Sequence, residues 1–170
     1  MSARRRRGEL DDIRRNAAGE YVYTGELYVY RGQRPRIRTL AELWCLAGGA
    51  ALTALAAGLL PAPGMTGCWY VPVPYVLGLV SLAAALWALG RLSFGGDPIR
   101  AYIAENAGKS LPRRLLAAVA LLTLALLGEG FYLLRHGAAD ALGYLVLTGA
   151  SLLLAVCALL RQRRMKWEKQ

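Results

Sequence analysis

Four apolar stretches of about twenty residues each constrain this chain more than any other feature of its sequence. In the clearest, residues 115–134, the only charged side chain is Glu129. At about 1.5 Å per residue, a helix of this length crosses the roughly 30 Å hydrocarbon layer of a bilayer. The other three stretches are residues 41–60, 70–90 and 140–160. The sequence therefore predicts an all-α integral membrane protein built as a four-transmembrane-helix bundle.

The transmembrane domain is predicted to cover residues 39–160. Thr39 and Glu42 have the spacing of a capping box, in which the two side chains satisfy exposed amides at the start of a helix. The first helix is expected to begin there. A basic segment precedes the domain at residues 1–38, and a short basic tail follows it at residues 161–170.

The basic residues predict how the helices are oriented. Of the 21 lysines and arginines, ten precede Thr39, five lie in the loop 91–114 and five follow Leu160. Cytoplasmic segments of membrane proteins carry an excess of Lys and Arg. Both termini and this loop are therefore expected in the cytoplasm, against anionic lipid headgroups. A net charge of +10 would also suit nucleic acid, but the positions of the charges at the helix ends favour the membrane.

The segment before the first helix carries a strand pattern. Tyrosine and apolar residues alternate on both sides of a Thr-Gly step within residues 19–32, which predicts a short cytoplasmic β-hairpin. Tyr21, Tyr23 and Tyr28 would then share one face. Because an isolated hairpin is marginally stable in water, we expect it to pack on the membrane surface, on the cytoplasmic loop or on a partner.

A second pattern lies in the cytoplasmic loop. Asp97 is a good helix N-cap, Pro98 suits the first turn, and Ile99, Tyr102 and Ile103 follow at the spacing of one helix face. This predicts a short amphipathic helix on the inner membrane surface. Ile99 and Tyr102, together with the three hairpin tyrosines, form the candidate docking surface.

The two predicted helical hairpins resemble each other at an offset of 70 residues. Matches of Leu and Ala are common in such a composition, but the less common residue types also align, as in Thr53/Thr123, Gly58/Gly128, Ser81/Ser151 and Arg91/Arg161. The sequence therefore leaves two alternatives open: duplication of a two-helix unit, or matches that arise by chance in a chain rich in Leu and Ala. Duplication would give two parallel repeats related by an axis along the membrane normal.

Glu129 is the candidate functional residue, because an acidic side chain within a membrane helix faces protein or water. Tyr75 and Tyr144 are expected at a similar depth on neighbouring helices, and Arg135 and His136 at the rim. These residues would form an outward-facing polar pocket suited to a proton or a cation. The alternative is a structural role, in which Glu129 accepts hydrogen bonds from a tyrosine hydroxyl or from loop amides.

The sequence contains no catalytic, nucleotide-binding or metal-binding motif. Its three cysteines form no CxxC pair and it has one histidine, so one chain cannot assemble a structural zinc site. We therefore expect no enzymatic activity, no cofactor and no metal. The leading hypothesis is an accessory or assembly subunit that docks another membrane protein through its cytoplasmic face. The alternative is a small homo-oligomeric transporter or channel component that uses the Glu129 pocket.

Overall fold

Four long helices dominate the computed structural model, which describes residues 13–15, 21–23, 27–32, 34–96, 99–100, 103–137, 141–165 and 167–169. In chain order the helices are α1 Arg36–Ala57, the short α2 Pro63–Gly67, α3 Pro72–Ser93, α4 Lys109–His136 and α5 Leu142–Gln162. A π-helical turn, Ala104–Gly108, leads directly into α4. All helices except α2 are long and apolar enough to cross a membrane. This confirms four helices of membrane-spanning length and indicates a multi-pass membrane protein.

The first helix begins one turn earlier than its predicted capping box. α1 starts at Arg36, directly after Pro35, so Thr39 already lies inside the helix. The Thr39 hydroxyl donates a hydrogen bond back to the carbonyl of Pro35 at 3.3 Å. The predicted capping box is therefore wrong. Glu42 instead forms ion pairs with Arg34 and with Arg161, which lies at the far end of the chain.

Small side chains line the contacts between the long helices. α1 packs mainly on α5, and α3 packs mainly on α4. Ala50, Ala54 and Ala57 of α1 and Ala85 of α3 are completely buried. Such residues let helices approach closely in lipid, where dispersion contacts and hydrogen bonds stabilise the association. The Ser151 hydroxyl of α5 also donates a hydrogen bond to the carbonyl of Ala50 at 2.7 Å.

The 70-residue offset aligns buried residues with buried residues between α3 and α5 but not between α1 and α4. In the second arm, the aligned Ala85 of α3 and Ala155 of α5 are both buried. In the first arm, Ala50 of α1 is buried whereas its aligned residue on α4, Ala120, is exposed. An ungapped offset therefore does not superpose the buried faces of α1 and α4. Duplication of a two-helix unit stays a prediction.

Two small antiparallel sheets accompany the helices. β1 Ile13–Arg15 pairs with β2 Tyr21–Tyr23. In the second sheet, β3 Leu27–Tyr30 lies between β4 Ile99–Arg100 and β5 Trp167–Lys169. The predicted hairpin between Tyr21–Tyr23 and Leu27–Tyr30 is therefore wrong, because these strands belong to different sheets. Distant segments give β3 partners on both sides, and three strands are more stable than an isolated pair.

The predicted amphipathic loop helix is wrong at its start. Ile99 lies in strand β4, and the first described helical residue after it is Ile103. Tyr102 lies outside the described residues. Ile99 and Ile103 are both buried in the hydrophobic cluster at this end of the bundle. The apolar spacing that suggested a helix on the membrane surface therefore reflects residues that close the end of the core.

The three-stranded sheet joins three separate parts of the chain at one end of the bundle. β3 precedes α1, β4 lies in the loop between α3 and α4, and β5 follows α5. The N-terminal segment, the middle loop and the C-terminal tail therefore meet on the same side of the four helices. We call the sheet formed by β3, β4 and β5 the platform.

The packing of α3 can be tested with two neighbouring alanines. We expect Ala85→Leu to lower the free energy of unfolding by about 1–3 kcal/mol, because the added carbons have no room in the core. Ala83 lies two residues earlier on the exposed face of α3. Ala83→Leu should change stability by less than about 0.5 kcal/mol. Unfolding of the two variants in detergent, followed by circular dichroism, measures the difference, and equal effects would contradict the assigned buried face.

Candidate functional site

Glu129 lies completely buried on α4. Its Oε1 atom accepts a hydrogen bond from the backbone N–H of Gly64 at 3.2 Å. Its Oε2 atom is also buried and has no hydrogen-bond partner within the described part of the chain. Because Gly64 belongs to α2, this hydrogen bond connects the short helix after α1 to the buried face of α4.

The contact between Gly64 and Glu129 leaves no room for a side chain at position 64. A Cβ atom placed on Gly64 would overlap Oε2 of Glu129 and lie 3.0 Å from its Cδ. It would also lie 3.2 Å from a methyl group of Val71. Any side chain at this position would therefore have to displace the buried carboxyl group.

Two tyrosines pack together beside this acid. The ring centroids of Tyr75 and Tyr144 are 5.7 Å apart, with the ring planes inclined at 47°. The Tyr75 hydroxyl donates a hydrogen bond to the carbonyl of Ala54 on α1. Tyr144 lies within electrostatic range of Glu129. We call Glu129, Tyr75, Tyr144 and the neighbouring Thr148 the polar cluster.

Thr148 extends the polar cluster along α5. It lies one helical turn after Tyr144, and both side chains are completely buried. Neither hydroxyl makes a hydrogen bond of normal geometry with the described residues. Sequence reasoning missed Thr148, although its spacing of four residues from Tyr144 places the two on one helix face. It also missed Gly64, which only the tertiary structure brings to α4.

Arg135 and His136 lie at the exposed end of α4, about two helical turns beyond Glu129. The Arg135 guanidinium is 4.7 Å from the centroid of the Phe131 ring. The His136 ring stacks on Tyr132 at a centroid distance of 4.3 Å. The structure thus brings Tyr144 into electrostatic interaction with Glu129 and packs Tyr75 against Tyr144, whereas the two basic residues contact aromatic rings on their own helix.

The candidate docking residues are distributed over both sheets. Tyr28 of β3 is half-buried and packs against the core cluster, and Ile99 of β4 is completely buried. Tyr21 and Tyr23 lie in β2 of the other sheet, and Tyr102 is outside the described residues. Contrary to the sequence-based expectation, Ile99 has no exposed side chain to offer a partner, because it completes the core.

The polar cluster combines a structural contact with unsatisfied polar atoms. The Gly64 amide has its acceptor, whereas Oε2 of Glu129 has no hydrogen-bond partner among the described residues, and the hydroxyls of Tyr144 and Thr148 lie next to each other. A buried polar group without a partner costs about 1–3 kcal/mol. The cluster can therefore act as a clamp for α2, and its remaining atoms can hold a proton or a small polar ligand.

No protein-family model matches the chain, and comparisons with curated proteins and with solved structures find no match. The function is therefore inferred from the arrangement of the residues in this chain.

The close contact at Gly64 makes a direct prediction. Gly64→Ala should lower the free energy of unfolding by about 1–3 kcal/mol, because the new carbon overlaps Glu129. Gly130→Ala is the matched control, since a Cβ there meets nothing within 4 Å. Alanine favours the helix over glycine by up to about 1 kcal/mol, so this control should be neutral or stabilising. If both variants melt alike, α2 does not contact Glu129 as described.

Replacement of Glu129 separates its hydrogen bond from its charge. Glu129→Gln keeps an oxygen acceptor for the Gly64 amide, whereas Glu129→Leu leaves that buried N–H without a partner. We expect the leucine variant to be less stable than the glutamine variant by about 1–3 kcal/mol. Hydrogen exchange at the Gly64 amide should also be faster in the leucine variant. Equal exchange in the two variants would argue against the clamp.

Proposed function

We propose that this protein is an integral membrane accessory or assembly subunit that docks another membrane protein through the platform. The observation that supports this proposal is the platform itself, in which β3, β4 and β5 come from three separate parts of the chain. Connections between membrane helices do not need to form a sheet. A sheet assembled from three of them gives this end of the bundle a defined surface that a partner can recognise.

The platform offers backbone groups to a partner. β3 is its central strand, while β4 and β5 each pair on one side only within the described residues. A strand at the edge of a sheet is a template for pairing with an extended segment of another protein. We propose that the partner pairs with β5, which has three residues against the two of β4.

We place the platform in the cytoplasm because basic residues concentrate at this end of the bundle. Residues 1–38, 91–114 and 161–170, which include the platform strands and the adjoining helix ends, contain all but one of the 21 lysines and arginines, and the exception is Arg135 at the opposite end. Such an excess is typical of cytoplasmic segments. Both termini are then cytoplasmic.

A second candidate function is a small oligomeric transporter or channel component that uses the polar cluster. The observation that favours it is the buried Oε2 atom of Glu129, which has no hydrogen-bond partner among the described residues and interacts electrostatically with Tyr144. Acidic residues in membrane helices often mark ion or proton pathways. Because four helices leave little room for a pore, this function would require a homo-oligomer. We prefer the function as an accessory subunit, because the hydrogen bond from the Gly64 amide already gives Glu129 a structural role.

The proposal can be tested with two substitutions at one position of β5. Glu168→Pro removes a backbone N–H and disfavours strand pairing, whereas Glu168→Ala keeps the backbone and loses only an exposed ion pair with Arg31. Tagged full-length proteins are purified from their native membrane in mild detergent and weighed by native mass spectrometry. We expect a second polypeptide in fixed stoichiometry, reduced at least tenfold by Glu168→Pro and retained by Glu168→Ala and Glu129→Gln.

The same preparations distinguish the second candidate. A homo-oligomer without another polypeptide would contradict the subunit proposal. Ion or proton flux in vesicles that disappears in Glu129→Gln, while the complex stays intact, would support transport through the polar cluster.

A further inference from the structure

We propose that this protein binds the phosphate group of an anionic membrane lipid in a cavity at the platform end of the bundle. The cavity has a volume of about 540 Å³ and lies between β3, the start of α1 and the end of α5. This volume falls within the range of small-molecule sites. Five arginines line it, and we call it the arginine cavity: Arg31, Arg34, Arg161, Arg163 and Arg164.

The charges around the arginine cavity are incompletely balanced. Glu42 forms ion pairs with Arg34 at 2.8 Å and with Arg161 at 2.5 Å, and Glu168 lies 3.5 Å from Arg31. Among the described residues, five guanidinium groups therefore meet two carboxylates, which leaves a net charge of +3. Concentrated positive charge in a concave site attracts an anion. Glu42 also holds two of the arginines in place before a ligand arrives.

Arg161 lies in the wall of this cavity and is held there by its ion pair with Glu42. Its side chain is only 18% exposed, and its Nη2 atom is buried without a hydrogen-bond partner in the described chain. A buried charged donor without an acceptor is costly. Because a planar guanidinium group matches two phosphate oxygens, the exposed Arg163 and Arg164 in the same wall are suited to bind a phosphate beside it.

Hydroxyl groups complete the wall. The Tyr30 hydroxyl lies 3.1 Å from the Thr39 hydroxyl, and both residues line the arginine cavity. Thr39 is buried on α1, so its side chain is held in a fixed position. Because the Thr39 hydroxyl donates to the Pro35 carbonyl, it accepts from the Tyr30 hydroxyl, and this hydrogen bond connects β3 to α1 at the wall of the cavity.

The depth of the arginine cavity identifies a lipid as the source of the phosphate. Arg161 lies in the last turn of α5, and Arg34 precedes the first residue of α1 by two positions. Both helices are of membrane-spanning length, so their ends lie at the level of the lipid headgroups. This inference is independent of the proposed protein partner, because it requires only that the helices span a bilayer.

The test compares two double variants that remove the same charge. Arg163→Gln with Arg164→Gln changes the cavity, whereas Arg38→Gln with Arg113→Gln removes two exposed arginines that do not line it. The purified full-length proteins are titrated with phosphatidylglycerol or phosphatidylcholine in detergent, and bound lipid is counted by native mass spectrometry. We expect one tightly bound phosphatidylglycerol, at least tenfold weaker binding in the cavity variant and less than a twofold change in the control.

A lysine double variant and competition with inorganic phosphate complete the test. Arg163→Lys with Arg164→Lys preserves the charge but not the planar donor group. Its affinity for phosphatidylglycerol should lie between those of the wild type and the glutamine variant. Inorganic phosphate at millimolar concentration should not displace the lipid. Equal losses in the two glutamine pairs, equal binding of phosphatidylcholine, or displacement by inorganic phosphate would each overturn the proposal.

Discussion

The close packing of small residues between α1 and α5 is the interaction on which the rest of this structure depends. In lipid, apolar side chains gain little by leaving one apolar neighbour for another. The buried small residues Ala50 and Ala54 and the hydrogen bond from Ser151 therefore hold these helices together. This packing brings the end of α5 beside the start of α1. As a result, Arg161 reaches Glu42, and β5 lies close enough to pair with β3.

The two ends of the bundle differ in their polar chemistry. At the platform end, positive charge is concentrated, partly exposed and ordered by Glu42, as suits contact with headgroups or with a partner. Towards the other end, one acid and two hydroxyls are completely buried among apolar side chains. Charge at the surface attracts ligands over a distance, whereas a buried polar atom acts only on neighbours in contact. The two regions are therefore suited to different tasks.

Local patterns in the sequence predict which segments form strands or are buried, but not which distant segments they pack against. Alternation marks Tyr21–Tyr23 and Leu27–Tyr30 as strands, and both are strands. Their assignment to one hairpin fails because β3 meets segments about 70 and 140 residues away. The spacing of Ile99 and Ile103 likewise identifies residues that must be buried. It does not tell whether a membrane surface or the protein core buries them.

The sequence by itself determined the four spanning helices, because a segment in lipid must satisfy its own backbone hydrogen bonds and needs enough apolar residues to cross. It also identified Glu129, since one acid in an apolar helix is conspicuous. Only the tertiary structure decided that the Gly64 amide meets this acid and that arginines from both ends of the chain share a cavity. Those contacts join residues far apart in the chain, and no local pattern of residues records which distant segment packing will bring near.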